Sequence, residues 1–315
     1  MPFNHQILQR CWFLAGPTAC GKSAAGCDLA ELLNAEIVAL DSMSLYRGMD
    51  VGTAKPDIAA RDRVAHHLID ILDPHEEYSL AEYVEAARAV ACEIVGRGRV
   101  PLFVGGTGLY LRGALRGVFQ GPPADWELRR KLGALAENDG FEAVHGRLSQ
   151  VDPVLAARLH PRDLRRVIRG IEVFETTGIP LSIQQQQQPL PVGERPRHVY
   201  WLHPPREWLY ERVNRRVEQM LREGLIAEVE RLLEHEKPPG KTARQALGYK
   251  EVFDHLEGRL SLREAIELIQ ARTRQFAKRQ HTWFKNLVEC KAVEMQGDET
   301  PRELAELVLQ RCALP

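Results

Sequence analysis

The sequence predicts an α/β fold: a P-loop parallel-sheet core with helices on both faces, plus an α-helical insertion subdomain. Three observations carry that reading. Residues 1–122 alternate short apolar runs with helix-period segments, the pattern of a parallel sheet built from βαβ units. GPTACGKS, Gly16 to Ser23, stands between an apolar run and a helical pattern, where a P-loop has to stand. Residues 126–180 then carry no strand-like run, only helical stretches cut at Gly140, Pro153, Pro161 and Gly178.

Taken in order, CWFLA (11–15) reads as a buried strand, and 22–34 as a helix with Leu29, Leu32 and Leu33 turned inward. IVAL (37–40) is the next strand, followed by a loop rich in Gly and Asp and by the short run HLIDI (67–71). A helix starts at Ser79, a plausible N-cap with Glu82 three residues on, and runs to about Gly96. VPLFVGG (100–106) is a further buried strand. The character changes after GPPAD (121–125), and the helical insertion is assigned to 123–197, which ends in the glutamine run and prolines of LSIQQQQQPLPVGERPR. That run, 184–188, reads as a tolerated surface extension. HVYWLHP (198–204) returns to the sheet, and from Trp208 the chain reads as helical, with a basic loop near 241–250, so that 198–315 completes the core.

Composition narrows the functional classes. The chain has 44% hydrophobic and 27% charged residues and a net charge of -1, so any nucleic-acid surface must be local. Its six cysteines form no C-x-x-C pair and no zinc-like Cys/His spacing. No apolar run reaches membrane-spanning length and the N-terminus lacks signal-peptide features. A reduced, cytoplasmic protein without a membrane association is expected.

The P-loop is the strongest chemical signal. Its glycines let the backbone wrap phosphate oxygens, and the amides at the helix start point at the anion. Lys22 supplies a point charge and the Ser23 hydroxyl is placed to join a Mg²⁺ shell. Most such loops hold ATP or GTP. No N-K-x-D motif marks a GTPase, while the Arg-rich stretch 158–169 could serve as a lid, so an ATP-using small-molecule kinase stays open. Asp41, at the end of IVAL, is either a metal ligand or a carboxylate that handles a proton. VGGTGLYL (104–111) puts the Thr107 hydroxyl and free amides at the carboxyl edge of the sheet, where open α/β sheets bind ligands.

Three stretches are basic: RLHPRDLRRVIRGIE (158–172), KTARQALGYK (241–250) and ARTRQFAKRQHTWFK (271–285). Arg162, Arg165, Arg166 and Arg169 recur at helical spacings, and Phe276, Trp283 and Phe284 are interleaved with Lys and Arg. That mixture suits phosphate contact and base stacking on RNA. In YERVNRRVEQM (210–220), Arg212 and Arg216 lie on one helix face beside Val213, Val217 and Met220, able to clamp a diphosphate.

Together GPTACGKS, DSMSLYRGMDVGTAKP, HHLIDILDPHEEYS, VGGTGLYL, ARLHPRDLRRVIRGIEV, QMLREGLIAEV, ALGYKE and KRQHTWFK span Gly16 to Lys285, and the chain resembles the tRNA dimethylallyltransferases, also called tRNA isopentenyltransferases, in a bacterial form. The resemblance implies transfer of the dimethylallyl group of dimethylallyl diphosphate to N6 of the adenine 3′-adjacent to the anticodon of tRNA. It implies that Gly16, Pro17, Thr18, Ala19, Cys20, Gly21, Lys22 and Ser23 hold the prenyl donor's diphosphate with Arg216, and that Ser23 is the protein's Mg²⁺ ligand. Asp41 matches the family's general base and Thr107 its reaction-centre threonine, and Arg216 counts with them as catalytic. Asp41, Ser42, Met43, Ser44, Thr107, Asp125, Arg165, Arg166, Arg169, Arg244, Gly248, Tyr249 and Lys250 match tRNA-contacting positions on the anticodon stem-loop. The chain departs from many relatives at Ser23, where they have threonine, and at Arg165, where they have glutamine. A monomer is expected, since tRNA supplies the large partner surface.

Chemistry fits that implication. An adenine amino group is a poor nucleophile whose nitrogen turns acidic only as the new C–N bond forms, so a carboxylate need accept the proton late. The departing diphosphate gathers charge that Lys22, Arg216 and the loop amides are placed to stabilise.

Overall fold

The computed structural model describes residue 3, residues 5–185 and residues 187–313; Gln186, inside the glutamine run, lies outside them. Six parallel strands form one sheet: β1 (Trp12–Ala15), β2 (Ala35–Ala39), β3 (His66–His67), β4 (Val100–Gly105), β5 (His198–His203) and β6 (Lys291–Glu294). Their spatial order is β3-β2-β4-β1-β5-β6. The registers Ala39↔Val104 and Ala15↔Gly105 align the carboxyl ends of β2, β4 and β1. The segments after these three strands hold Asp41, Thr107 and the P-loop respectively. At the usual strand spacing, the end of β2 lies about 10 Å from that of β1, with β4 between them.

Strand alternation sends side chains to both faces. Leu14, Leu102, Tyr200 and Leu202 join one apolar cluster with Leu29 of helix Lys22–Leu33 and Leu304 and Val308 of helix Pro301–Ala313. Phe13 and Phe103 stack at 4.7 Å on the other face. Helix Leu80–Gly96 follows β3 with Ser79 and Glu82 forming a full capping box, and its Tyr83 hydroxyl donates to the Ala39 carbonyl at 2.8 Å.

Three local expectations fail. Leu32 is 37% exposed and faces solvent, not the core. HLIDI contributes only His67 to the sheet, because Leu68 and Asp70 turn left-handed (φ 59° and 57°) and the Asp70 carboxylate is drawn to Lys55 and Arg61. The C-terminal part is not wholly helical, since KAVE (β6) pairs in parallel with β5. Four residues are too few to show a period.

Contacts within the chain separate two compact units. One comprises the residues up to Gly117 together with those from Pro189 onward, and the other is Val118–Gln188. The second unit is helical: Trp126–Asp139, Phe141–Val151, Pro153–Ala156, Leu164–Thr177 and Leu181–Gln184. It closes on its own apolar cluster of Leu132, Val144, Leu148, Val167 and Ile171. Buried Glu172 is held there by Arg129, at 2.7 and 2.9 Å, by Arg169 and by the Asp125 amide at 2.8 Å. A buried carboxylate so surrounded keeps its charge, and the neighbouring donors, Arg129 first, hold its pKa down against burial.

Candidate active site

Asp41, Thr107 and the P-loop meet at the carboxyl edge because the loops of adjacent strands interlock. Gly105 ends β4 against β2 so closely that a Cβ there would lie 2.1 Å from the Leu40 carbonyl oxygen. Thr107 then donates its amide to the Leu40 carbonyl (3.1 Å), and its hydroxyl accepts from the Ser42 amide (3.2 Å). The Thr107 proton is left to point elsewhere. Asp41 accepts from the Met43 amide at 2.9 Å through Oδ1, a short local turn that aims the carboxylate. Its second oxygen takes no protein donor among the described residues.

Ala19 (φ 65°) and Gly21 (φ 90°) are left-handed, which curls the P-loop amides into an anion-binding nest. Two amides of the set are nevertheless spent within the protein. Thr18 N–H donates to Gln280 Oε1 at 2.9 Å and Cys20 N–H to the Pro17 carbonyl at 3.4 Å. That leaves the amides of Ala19, Gly21, Lys22 and Ser23 for an anion, at the start of a helix whose N-cap Gly21 offers no side chain. Ser23 is exposed at that helix start.

Among the described residues, Lys22 donates only to the Pro17 carbonyl, at 3.3 Å. Burial lowers its pKa; Arg216 adds to the effect, while Cys20 and Asp41 oppose it. Arg216, on helix Arg206–Arg222, is likewise lowered by burial against the pull of Asp41. It donates no hydrogen bond to protein among the described residues. Two desolvated cations beside one carboxylate have unspent donors and mutual repulsion, both of which a bound anion relieves. Arg212 and Arg216 part company here. Arg212 donates to the Ala19 carbonyl at 2.9 Å and stacks on Trp208, so it holds the loop and not the ligand.

Gln280 went unnoticed in the sequence. Buried to 4% exposure, it accepts from Thr18 and donates through Nε2 to the Gly106 carbonyl at 2.9 Å. One side chain thus joins the P-loop to the Thr107 loop. Its signal was periodic: Thr273, Ala277, Gln280 and Phe284 form the buried stripe of helix Leu262–Lys285, and a polar residue in such a stripe asks for a partner. Glu228 was missed for the same reason. Buried in helix Leu225–Glu234, it accepts from the amides of Asp50, Val51 and Gly52 at 2.8 to 3.2 Å and from the Tyr249 hydroxyl at 2.6 Å. It fixes the loop that follows Asp41.

This packing closes off two of the expected RNA contacts, Tyr249 and Ser44, and gives several others protein partners. Tyr249 is fully buried and its hydroxyl belongs to Glu228, so its ring is not open to a base. Ser44 is 6% exposed and turns inward to the Asp41 carbonyl. Arg169 is spent on Glu172 and the Pro122 carbonyl, and Asp125 caps helix Trp126–Asp139 through the amides of Glu127 and Leu128. Arg162 precedes helix Leu164–Thr177 and does not share its face. Arg244 pairs with Glu257 at 2.6 Å and Lys250 with Asp254 at 2.6 Å, both partly exposed, and left-handed Gly248 starts the helix Tyr249–Leu256. Ser42 and Met43 are half-buried beside Asp41, while Arg165 and Arg166 face solvent. All six cysteines are free, and among the described residues no helix is long and apolar enough to cross a membrane.

Against this geometry, the family described as IPP transferase matches residues 44–287. The chain is 44% identical over 288 residues to the tRNA dimethylallyltransferase of Geobacillus kaustophilus, covering 90% of this chain and 89% of that one. It is 46% identical to the tRNA dimethylallyltransferase of Geobacter metallireducens, over 90% of this chain and 91% of that one. The structure of the full-length tRNA isopentenylpyrophosphate transferase from Bacillus halodurans superposes with a TM-score of 0.70 at 39% identity, covering 96% of this chain and 95% of that one. A eukaryotic dimethylallyltransferase acting on tRNA gives a TM-score of 0.74 at 28% identity, over 91% of this chain and 74% of that one.

Proposed function

The chain belongs to the IPP transferase family, and from that premise we propose that it transfers the dimethylallyl group of dimethylallyl diphosphate to N6 of the tRNA adenine 3′-adjacent to the anticodon, releasing diphosphate. The observation that carries the reading is the half-buried pair Lys22 and Arg216, rich in unspent donors, set against Asp41 at one sheet edge. The donor's diphosphate lies on the amides of Ala19, Gly21, Lys22 and Ser23, with the two cations at its oxygens. Its allylic carbon points across β4 towards Asp41. The adenine leaves its stack to bring N6 to that carboxylate, and the Thr107 hydroxyl, fixed by the Ser42 amide, orients the reacting groups. As the C–N bond forms, Asp41 takes the proton and the diphosphate departs into a cationic cradle.

Mg²⁺ fits the site through Ser23. Such ions take one or two protein oxygens together with phosphate oxygens and water. When bound, the ion would neutralise diphosphate charge. Arg165, Arg166, Arg244 and Lys250 supply phosphate contacts to the anticodon stem-loop in this reading, with the protein acting as a cytoplasmic monomer. Nothing in the site favours an ATP-dependent small-molecule kinase over this transfer.

The test is incubation with labelled dimethylallyl diphosphate and total bacterial tRNA, followed by nucleoside analysis. N6-dimethylallyl adenosine is expected; label transfer from ATP to a small metabolite with no tRNA product would overturn the reading. Gln280 gives a finer check. Gln280→Glu keeps the acceptor for Thr18 N–H but sets a carboxylate against the Gly106 carbonyl, so the donor loop and the Thr107 loop lose their common register. kcat is expected to fall on the order of ten-fold or more with KM for tRNA little changed. Wild-type kinetics in the folded variant would remove the bridge from the mechanism.

A further inference from the structure

Among the described residues of the helical unit, one aromatic side chain is mostly exposed to solvent. Trp126, the first residue of helix Trp126–Asp139, is 69% exposed. It is nonetheless rigidly mounted. The Arg129 guanidinium lies 5.1 Å from its ring centroid, and Arg129 is itself locked to buried Glu172 by two hydrogen bonds of 2.7 and 2.9 Å. The backbone on either side is pinned as well. Asp125 donates its amide to the same carboxylate, Arg169 reaches the Pro122 carbonyl at 2.9 Å, and Arg130 Nε donates to the Trp126 carbonyl at 3.4 Å.

The surroundings choose the partner. Arg165 stands one turn from Arg169 on helix Leu164–Thr177, exposed and with no ion pair or hydrogen bond among the described residues. Arg166 is also exposed, its side chain 72% accessible beside Asp163 at 3.2 Å. The acids nearby are already engaged: Glu172 with two arginines, Asp125 as a cap, and Glu127 with Lys131 at 2.6 Å. A flat apolar ring mounted on a guanidinium, with the unpaired Arg165 guanidinium on helix Leu164–Thr177 of the same unit, matches a nucleobase with its phosphate. A protein partner would find one apolar ring here, with cations around it.

We propose that Trp126 is a stacking platform for an unstacked nucleotide of the RNA substrate, with Arg165 taking the adjoining phosphate. This rests on tRNA being the substrate. It reassigns the RNA-facing role in this part of the chain: Asp125 and Arg169 build the mount, and Trp126 makes the contact.

The experiment measures binding of an anticodon stem-loop RNA to the full chain, with prenyl transfer followed in parallel. Trp126→Ala is expected to raise Kd about ten-fold, as loss of a base–aromatic stack does, with the salt dependence unchanged because no charge is removed. Trp126→Phe should recover most of that loss, and its fluorescence difference from wild type should show quenching of Trp126 by the RNA. KM for dimethylallyl diphosphate should not move in either variant. Trp126→Ala binding within two-fold of wild type would overturn the platform and leave prenyl transfer standing. Wild-type protein that binds the stem-loop through Trp126 yet transfers no prenyl group would overturn the function and leave the platform standing.

Discussion

Asp41→Asn should reduce prenyl incorporation into tRNA by roughly 10²–10⁴-fold at saturating donor, the scale of a lost general base. The substitution leaves the local hydrogen bonds in place. Asp41 uses one oxygen to accept from the Met43 amide, and an asparagine carbonyl accepts that bond equally well. Thr107 stays tied to Leu40 and Ser42 by bonds that do not involve the Asp41 side chain. The loop should therefore keep its shape while losing the group that receives the N6 proton. Single-turnover kinetics with the donor pre-bound provide the measurement. Near-normal turnover would sink the base assignment; a collapse of donor affinity with chemistry intact would make Asp41 a metal ligand instead.

Arg216→Ala should lower kcat/KM for the donor by about 10²–10³-fold, as removal of one preorganised donor at a developing anion does. The wild-type guanidinium is half-buried, its pKa pushed down by desolvation, and it donates no hydrogen bond to protein among the described residues. Such a group destabilises the empty site and is relieved when the diphosphate arrives. Its loss should consequently cost little stability while it weakens donor binding and departure. Arg216→Lys should recover part of the rate, since a point charge replaces a fork. Donor kinetics unchanged in the alanine variant, read by steady-state assay with tRNA saturating, would remove Arg216 from the leaving-group cradle.

Much of this was legible in the residues. GPTACGKS between a strand and a helix, and the apolar runs before Asp41 and Thr107, were enough to place all three at one sheet edge, because parallel strands with aligned ends leave them nowhere else. The role of the basic stretches was harder to see. A sequence shows that Arg169, Arg244 and Lys250 are charged, but not that Glu172, Glu257 and Asp254 meet them. Tyr249, a tRNA-contact position by resemblance, is core because Glu228, 21 residues upstream, takes its hydroxyl. Gln280 and Glu228 were overlooked because polar residues in helices are usually read as surface. Their long-range partners, 262 residues away for Gln280 and Thr18, have no signature in local pattern.

The Gln280 bridge also sets an order of events on the ribosome. The P-loop and the Thr107 loop are translated early, and the strand that flanks β1 on its other side, β5, follows only at His198–His203. The side chain that ties the two loops together emerges later still, in the last helix before β6. A nascent chain can thus display the full GPTACGKS motif and fold much of its sheet, in the N-terminal-first manner of vectorial synthesis, while the two loops have no common anchor. Translation has to pass residue 280 before donor and RNA can be held in register, so prematurely released fragments should carry the motif without the activity.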